Sequence, residues 1–129
     1  MDGATVRGSL IADGCRIDEG AVIENSVIGL RCIIGKNVVI KDSVVMGADY
    51  YQTKAQGAAA ALEGAPPLGI GDNSVVEGAI LDKNCRIGSG VRIVNTSGVI
   101  DDESRKECPI RDGIPVVVKN ASLPDGWQL

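Results

Sequence analysis

The stretch IADGCRIDEGAVIENSVIGLRCIIGKNVVIKDSV, residues 11–44, decides the fold. It divides into consecutive units of six or five residues: IADGCR, IDEGAV, IENSV, IGLRCI, IGKNVV and IKDSV. Every unit opens with isoleucine, its fifth residue is small or aliphatic, and Gly, Asp, Asn or Lys stands in between. Sequence repeats are typical of solenoid proteins, in which each repeat stacks on its neighbour. The pattern therefore indicates a chain wound into stacked coils.

The same pattern continues beyond this stretch. VRGSL at Val6 is one more unit upstream, and IGDNSVVEGAILDKNCRIGSGVRIVNTSG, residues 70–98, repeats the pattern after an interruption. Five-residue units end just before Ile11, Ile28 and Val45, which are 17 residues apart, so three units make one turn of a triangular coil. The predicted fold class is all-β, a left-handed parallel β-helix built from hexapeptide repeats.

The register of the repeat predicts which side chains fill the prism. The first residue of each unit points inward, so three inward faces follow: Ile11, Ile28, Val45 and Leu81 on the first, Ile17, Ile34, Ile70 and Ile87 on the second, and Ile23, Ile40, Val76 and Ile93 on the third. Cys15, Cys32 and Cys85 share the fifth place of a unit and are expected to form a buried column of free thiols. Cys108 lies outside the repeat in a charged segment, where we expect a more reactive thiol.

Two insertions interrupt the coil, at about residues 47–69 and 97–113, and the whole of residues 1–129 is predicted to be one β-helix domain. The first insertion holds an alanine-rich run, residues 58–62, that favours a helix, which Gly64 and Pro66-Pro67 then end. The second insertion is charged. We expect residues 114–118 to resume the β-helix with Val118 pointing inward, and residues 124–127 to cap it.

Composition excludes several classes of function. The formal net charge of −4 argues against a nucleic-acid partner. No apolar stretch is long enough for a membrane span or a signal peptide, so we expect the cytoplasm or, in a plant or alga, the plastid stroma. The chain has no histidine, which removes histidine general bases, histidine-activated nucleophiles and histidine-bound metals.

Three stretches carry a resemblance to a known family: VVMGADYYQT, PLGIGDNSVVEGAILDKNCRIGSGVRIVN and IRDGIPVVVKNASLPDGWQL. Together they resemble the C-terminal domain of ADP-glucose pyrophosphorylase (glucose-1-phosphate adenylyltransferase) of the plant, algal and cyanobacterial types. The resemblance extends from Val6 to Leu129. Many families share hexapeptide repeats, whereas the GADYY segment and the GIPVVVKNA pattern are more specific.

The resemblance implies a parent enzyme that makes ADP-glucose and pyrophosphate from ATP and glucose 1-phosphate, in starch or glycogen synthesis. The catalytic domain of that enzyme is N-terminal and holds magnesium, and this chain shows none of its motifs. The resemblance therefore implies that this chain alone has no catalytic residue, no metal site and no cofactor, and we expect no catalysis from it. In the family this domain serves oligomer contacts and allosteric regulation, so the implied partners are the N-terminal catalytic domain and the sister subunits of a tetramer.

The resemblance also implies a site for anionic effectors, with 3-phosphoglycerate as activator and phosphate as inhibitor. Two family lysines match Lys83 in ILDKNCRIG and Lys119 in VVVKNASLPDG. Some members use an acidic residue one turn after the first lysine, where this chain has IGSGVR. Basic residues of the catalytic domain complete the family's pocket, so we expect this chain alone to bind effectors weakly or not at all. Further basic residues are candidate neighbours of the two lysines: Arg86, Arg92, Lys106 and Arg111.

Other interpretations of the same residues stay open. Each lysine is by itself compatible with a solvated surface charge, and Tyr50 and Tyr51 with packing of the first insertion against the prism. The chain could be a purely structural oligomerisation module, or could belong to a nucleotidyltransferase that acts on another sugar. Hexapeptide-repeat acyltransferases and carbonic anhydrases share the repeat but depend on histidine, and the chain has none.

Overall fold

The computed structural model describes residues 3–129; Met1 and Asp2, which the predicted domain includes, lie outside the described residues. The strands are two to four residues long, as expected for the flat sides of a narrow coil. In chain order they are β1 (Thr5–Arg7), β2 (Leu10–Ile11), β3 (Arg16–Ile17), β4 (Val22–Glu24), β5 (Val27–Ile28), β6 (Ile33–Ile34), β7 (Val39–Lys41), β8 (Val44–Val45), β9 (Gly69–Ile70), β10 (Val75–Glu77), β11 (Ile80–Leu81), β12 (Arg86–Ile87), β13 (Arg92–Val94), β14 (Ile110–Arg111), β15 (Ile114–Val117) and β16 (Ser122–Leu123). One helix, α1 (Lys54–Leu62), lies between β8 and β9.

The strands form three sheets, each named here after one inward isoleucine. The Ile23 sheet has the order β1-β4-β7-β10-β13, the Ile28 sheet β14-β15-β11-β8-β5-β2, and the Ile34 sheet β16-β12-β9-β6-β3. Consecutive strands pass from one sheet to the next, and neighbours within a sheet run parallel, apart from the antiparallel pair β14–β15. This is the predicted triangular coil, and the all-β fold class is confirmed.

The predicted faces are confirmed residue by residue. Ile28 pairs with Ile11 and Val45, Ile34 pairs with Ile17 and Ile70, and the Ile23 ladder holds Ile40, Val76 and Ile93. The inward side chains are buried almost completely, apart from half-buried Ile11 in the first coil. The core is aliphatic because the chain has no phenylalanine. Burial of these apolar side chains is the main contribution to the stability of the fold.

The cysteine column is confirmed in part, because Cys15 is not fully buried and Leu68 stands between Cys32 and Cys85. The expectation for Cys108 is wrong. All four cysteines are free thiols, with Cys32 and Cys85 buried and Cys15 half-buried. Burial raises the pKa of the Cys32 thiol to about 12. Cys108 is 1% exposed and belongs to the core cluster, and burial raises the pKa of its thiol to about 11. It therefore carries little thiolate at neutral pH and is not a reactive thiol.

The first insertion contains the predicted helix. Thr53 caps α1 at its N-terminus and forms a capping box with Gln56, while Gly64, with φ of 78°, follows its end. No side chain of α1 is buried. The base of the insertion is held instead by Arg86, whose guanidinium donates to the Gln52 side chain and the Pro66 carbonyl.

One expectation for the C-terminal segment was wrong. Val117, not Val118, points inward: it pairs with Leu81 and is fully buried, whereas Val118 is exposed. A slip of one residue exchanges the two sides of a strand, and adjacent valines offer no contrast in hydrophobicity that would fix the register.

Residues 124–126 are a corner of one more coil, because β16 pairs with β12 and Gln128 bridges to Arg92. Trp127 is half-buried against the core at this end.

Candidate functional site

Lys83 and Lys119 occupy equivalent places in adjacent coils. Each follows an inward residue, Leu81 or Val117, by two positions, and those inward residues pair with each other in the Ile28 sheet. The backbone N–H of Asn120 donates to the carbonyl of Lys83 over 3.0 Å, so one lysine turn stacks directly on the other. Since neighbouring strands lie about 4.8 Å apart, the two lysines leave the prism side by side.

The asparagine after each lysine explains the shape of this corner. Asn84 and Asn120 have φ values of 62° and 63°, in the left-handed region that asparagine tolerates better than most residues. The same local sequence, Lys-Asn, therefore makes the same turn twice. The structure thus brings together the two lysines predicted from the family resemblance.

Asp49 is a third member of the site that the sequence did not single out. Its Oδ1 accepts a hydrogen bond from Lys83 Nζ at 3.1 Å, and its Oδ2 accepts one from Asn84 Nδ2 at 3.2 Å. The Asn84 side-chain oxygen accepts in return from the Asp49 backbone N–H at 2.9 Å. The only sequence signal for Asp49 was its place in the GADYY segment, which carried part of the family resemblance.

The electrostatics of the site are those of a carboxylate between cations. Hydrogen bonds from Asn84 and from Lys83 hold the pKa of Asp49 below its ordinary value, and the charges of Lys83 and Lys119 act in the same direction. Both side chains of the Lys83–Asp49 pair are nearly half exposed. Within the described chain Lys119 is exposed and makes no ion pair. A second carboxylate, Asp82, lies in the same turn and accepts the backbone N–H of Lys83 at 2.7 Å. The exposed ammonium group of Lys119 is nevertheless suited to a small anion.

The other candidate neighbours are engaged elsewhere. The Arg86 guanidinium is bound to the first insertion, Arg111 pairs with Glu103 in the second insertion, and Arg92 lies on the Ile23 sheet. Lys106 is exposed in the second insertion. None of these four contacts either lysine in the hydrogen-bond network of residues 3–129.

Tyr51 joins the first insertion to the prism, as the packing interpretation of the tyrosines predicted. Its hydroxyl donates to the Gly14 carbonyl over 2.9 Å, although both tyrosine side chains are exposed, Tyr50 at 41% and Tyr51 at 55%. An acidic side chain does reach the turn IGSG, but from the next coil: Asp125 Oδ1 accepts the Ser89 N–H at 2.9 Å. The two residues are 36 positions apart in the sequence, so the local sequence around IGSG could not predict this contact.

A second surface stands out on the outside of the Ile28 sheet. One outward position of this sheet is aliphatic in five successive coils, and the pairing of the strands stacks these side chains into one line. Leu10 is 72% exposed, and Val27 and Val44 are also exposed. We call this line the outer aliphatic column; its members are Leu10, Val27, Val44, Ile80 and Val116.

Two searches of residues 3–129 bear on other kinds of function. No group of three or more Cys, Asp or Glu side chains in this part of the chain is arranged to hold a metal ion. None of the helical structure described has the length and hydropathy of a transmembrane span.

Comparison with known families gives one match that spans nearly the whole chain. A family model described as "GLGC left-handed parallel beta-helix domain" matches residues 1–127. The match includes both lysine turns, Asp49, both insertions and the outer aliphatic column. It also agrees with the left-handed sense that the hexapeptide repeat predicted for the coil.

Proposed function

Because the chain belongs to the GLGC left-handed parallel β-helix family, the C-terminal domain of ADP-glucose pyrophosphorylase, we propose that it is the allosteric and oligomerisation domain of a glucose-1-phosphate adenylyltransferase. The complete enzyme would make ADP-glucose and pyrophosphate from ATP and glucose 1-phosphate, for starch or glycogen synthesis. The observation that carries the allosteric part of the proposal is the stacking of Lys83 on Lys119.

The chemistry of the corner suits the proposed effectors. Two ammonium groups on neighbouring coils can donate to one phosphate, or to the phosphate and the carboxylate of 3-phosphoglycerate. Charge-assisted hydrogen bonds of this kind are stronger than neutral ones. The site is open to solvent on the described chain, which weakens each contact by screening. We therefore propose that basic residues of the N-terminal catalytic domain complete the pocket.

The proposal places catalysis and magnesium in that N-terminal domain. The described residues do not fit a magnesium site, because no three of their carboxylates are arranged to hold a metal ion and magnesium prefers carboxylate and water oxygens. The compartment proposed is the cytoplasm, or the plastid stroma in a plant or alga, where the substrates of this reaction would be met.

Replacing Lys119 by alanine in the complete enzyme should raise the activator concentration for half-maximal activation about tenfold, since a hydrogen bond between charged groups is worth about 1.5–3 kcal/mol. Turnover without activator should stay the same. Activation curves with 3-phosphoglycerate at fixed ionic strength measure both quantities.

Lys36 offers a matched control for that experiment. It also follows an inward isoleucine by two positions and precedes an asparagine with positive φ, but at a different corner of the prism. Lys36→Ala should leave the activation curve unchanged. An unchanged curve for Lys119→Ala would contradict the effector role and favour a purely structural module.

The outer aliphatic column supports the oligomerisation part of the proposal. A continuous line of exposed aliphatic side chains across several coils is rare on a surface that faces only water. Its place on one flat sheet suits a second flat apolar surface, which we propose is supplied by the catalytic domain or by a sister subunit. Burial of these side chains would then stabilise the assembly.

Replacing Val44 by lysine should weaken assembly of the complete enzyme, because it places a charge in the middle of the outer aliphatic column. We expect sedimentation velocity to show loss of the tetramer at concentrations where the unaltered enzyme stays assembled. Thr5→Lys adds the same charge to the outside of the Ile23 sheet and should have no such effect. Equal behaviour of the two variants would show that the column is not an interface.

A further inference from the structure

Asp49 makes contacts to the lysine corner that resemble those of a bound ligand. One oxygen of its carboxylate meets Lys83 Nζ at 3.1 Å and the other meets Asn84 Nδ2 at 3.2 Å. Both oxygens are therefore held by donors of the same turn. The charge of Lys119 acts on the same carboxylate from the next coil.

The position of Asp49 in the chain makes this contact separable from the fold of the coil. Asp49 lies at the start of the first insertion, and its backbone N–H is held independently by the Asn84 side-chain oxygen at 2.9 Å. The preceding residue is anchored by its own bonds, from the Ala48 N–H to Leu30 and from Arg31 Nε to the Ala48 carbonyl. The Asp49 carboxylate can therefore leave Lys83 while the backbone stays in place.

We propose that Asp49 is an internal anionic competitor, whose carboxylate occupies the lysine corner until a phosphate-bearing ligand displaces it. This inference rests on the proposed function, because it assigns a further residue to the same site. Displacement exchanges one anion for another at Lys83, and it leaves the Asp49 carboxylate in solvent. Lys119 is exposed and makes no ion pair within the described residues, so its ammonium group is available to an incoming anion.

The competitor sets a selectivity for charge. A ligand with one negative charge gains little by replacing a carboxylate that is already tethered to the site. A phosphate carries nearly two charges near neutral pH and several acceptor oxygens, so it can hold both lysines at once. Asp49 therefore favours phosphate-bearing ligands over simple carboxylates.

The test is a titration of the 129-residue chain with inorganic phosphate, followed by the backbone amide resonances of the turns at residues 83–84 and 119–120. The variant Asp49→Asn keeps the size of the side chain and one acceptor oxygen, removes its charge, and replaces the second acceptor oxygen with an amide NH2 donor. We expect this variant to bind phosphate up to about fivefold more tightly than the unaltered chain, the range given by an exposed ion pair. The affinity for acetate should increase at least as much in Asp49→Asn, because the variant no longer disfavours ligands with a single negative charge.

Two further variants make the result specific. Asp18→Asn removes the same charge from another exposed ion pair, Arg16–Asp18, which also has a distance of 3.1 Å, and it should leave phosphate binding unchanged. The double variant Asp49→Asn with Lys119→Ala should not show the tighter phosphate binding of Asp49→Asn. Thermal unfolding of every variant verifies that the coil is intact.

The outcomes separate the inference from the proposed function. An affinity of Asp49→Asn equal to that of the unaltered chain, a gain that Asp18→Asn reproduces, or no phosphate binding by any variant would overturn the inference. The proposed function is judged by Lys119→Ala in the complete enzyme. The proposed function is contradicted, and the inference about Asp49 is kept, if Asp49→Asn binds phosphate more tightly at the lysine turns while the activation curve of the Lys119→Ala enzyme stays unchanged.

Discussion

Replacing Ile34 by alanine should lower the free energy of unfolding by about 3 kcal/mol, since the change removes buried methyl groups and leaves a cavity. Ile34 is fully buried and stands between Ile17 and Ile70 in the inward ladder. The parallel coils above and below prevent the ladder from closing around the gap. Urea unfolding followed by circular dichroism gives the change in free energy, with the slope checked because repeat proteins can depart from two-state unfolding.

The neighbouring residue supplies the control. Ile33 lies on the same strand, β6, but points outward and is only partly buried. Ile33→Ala removes the same atoms and should cost less than about 1 kcal/mol, because less apolar area returns to water. Similar losses for the two variants would mean that the inward and outward sides of this coil are assigned wrongly.

Replacing Gly69 by alanine should destabilise the protein by about 3 kcal/mol or more, as expected for backbone strain combined with a steric clash. Gly69 opens β9, where the chain returns to the coil after the first insertion, and its φ is 112°. A Cβ atom there would lie 2.4 Å from the Ile33 carbonyl oxygen. That oxygen belongs to the backbone of the adjacent coil, so no change of rotamer relieves the clash.

Gly78 separates the two causes in that experiment. Its φ of 61° is also positive, but no atom lies within 4 Å of the place where a Cβ would stand. Gly78→Ala should therefore cost only the left-handed strain, about 1 kcal/mol. If thermal and urea unfolding give the same loss for both variants, the close approach at Gly69 has no energetic weight and the prediction is wrong.

The equivalence of the two lysines in adjacent coils could not be predicted from the repeat, although the repeat itself was predicted correctly. The family resemblance predicts both Lys83 and Lys119 as site residues, but the predicted register, with Val118 inward, does not make them equivalent. Once Val117 is inward, LDKNCR and VVKNAS align position by position. Three adjacent valines give no hydrophobic contrast, so only pairing with Leu81 could decide the register.

The sequence by itself determined the coil: its period of six with one short unit in three, its three inward faces, its cysteine column and the helix in the first insertion. These follow from local rules, because each coil contacts mainly its neighbours and repeats the same spacing of apolar residues. The contacts that the two insertions make with the coil follow only from the tertiary structure. It buried Cys108 and joined Asp49 to Lys83 across 34 residues, because insertions obey no period and their contacts depend on where the chain returns in space.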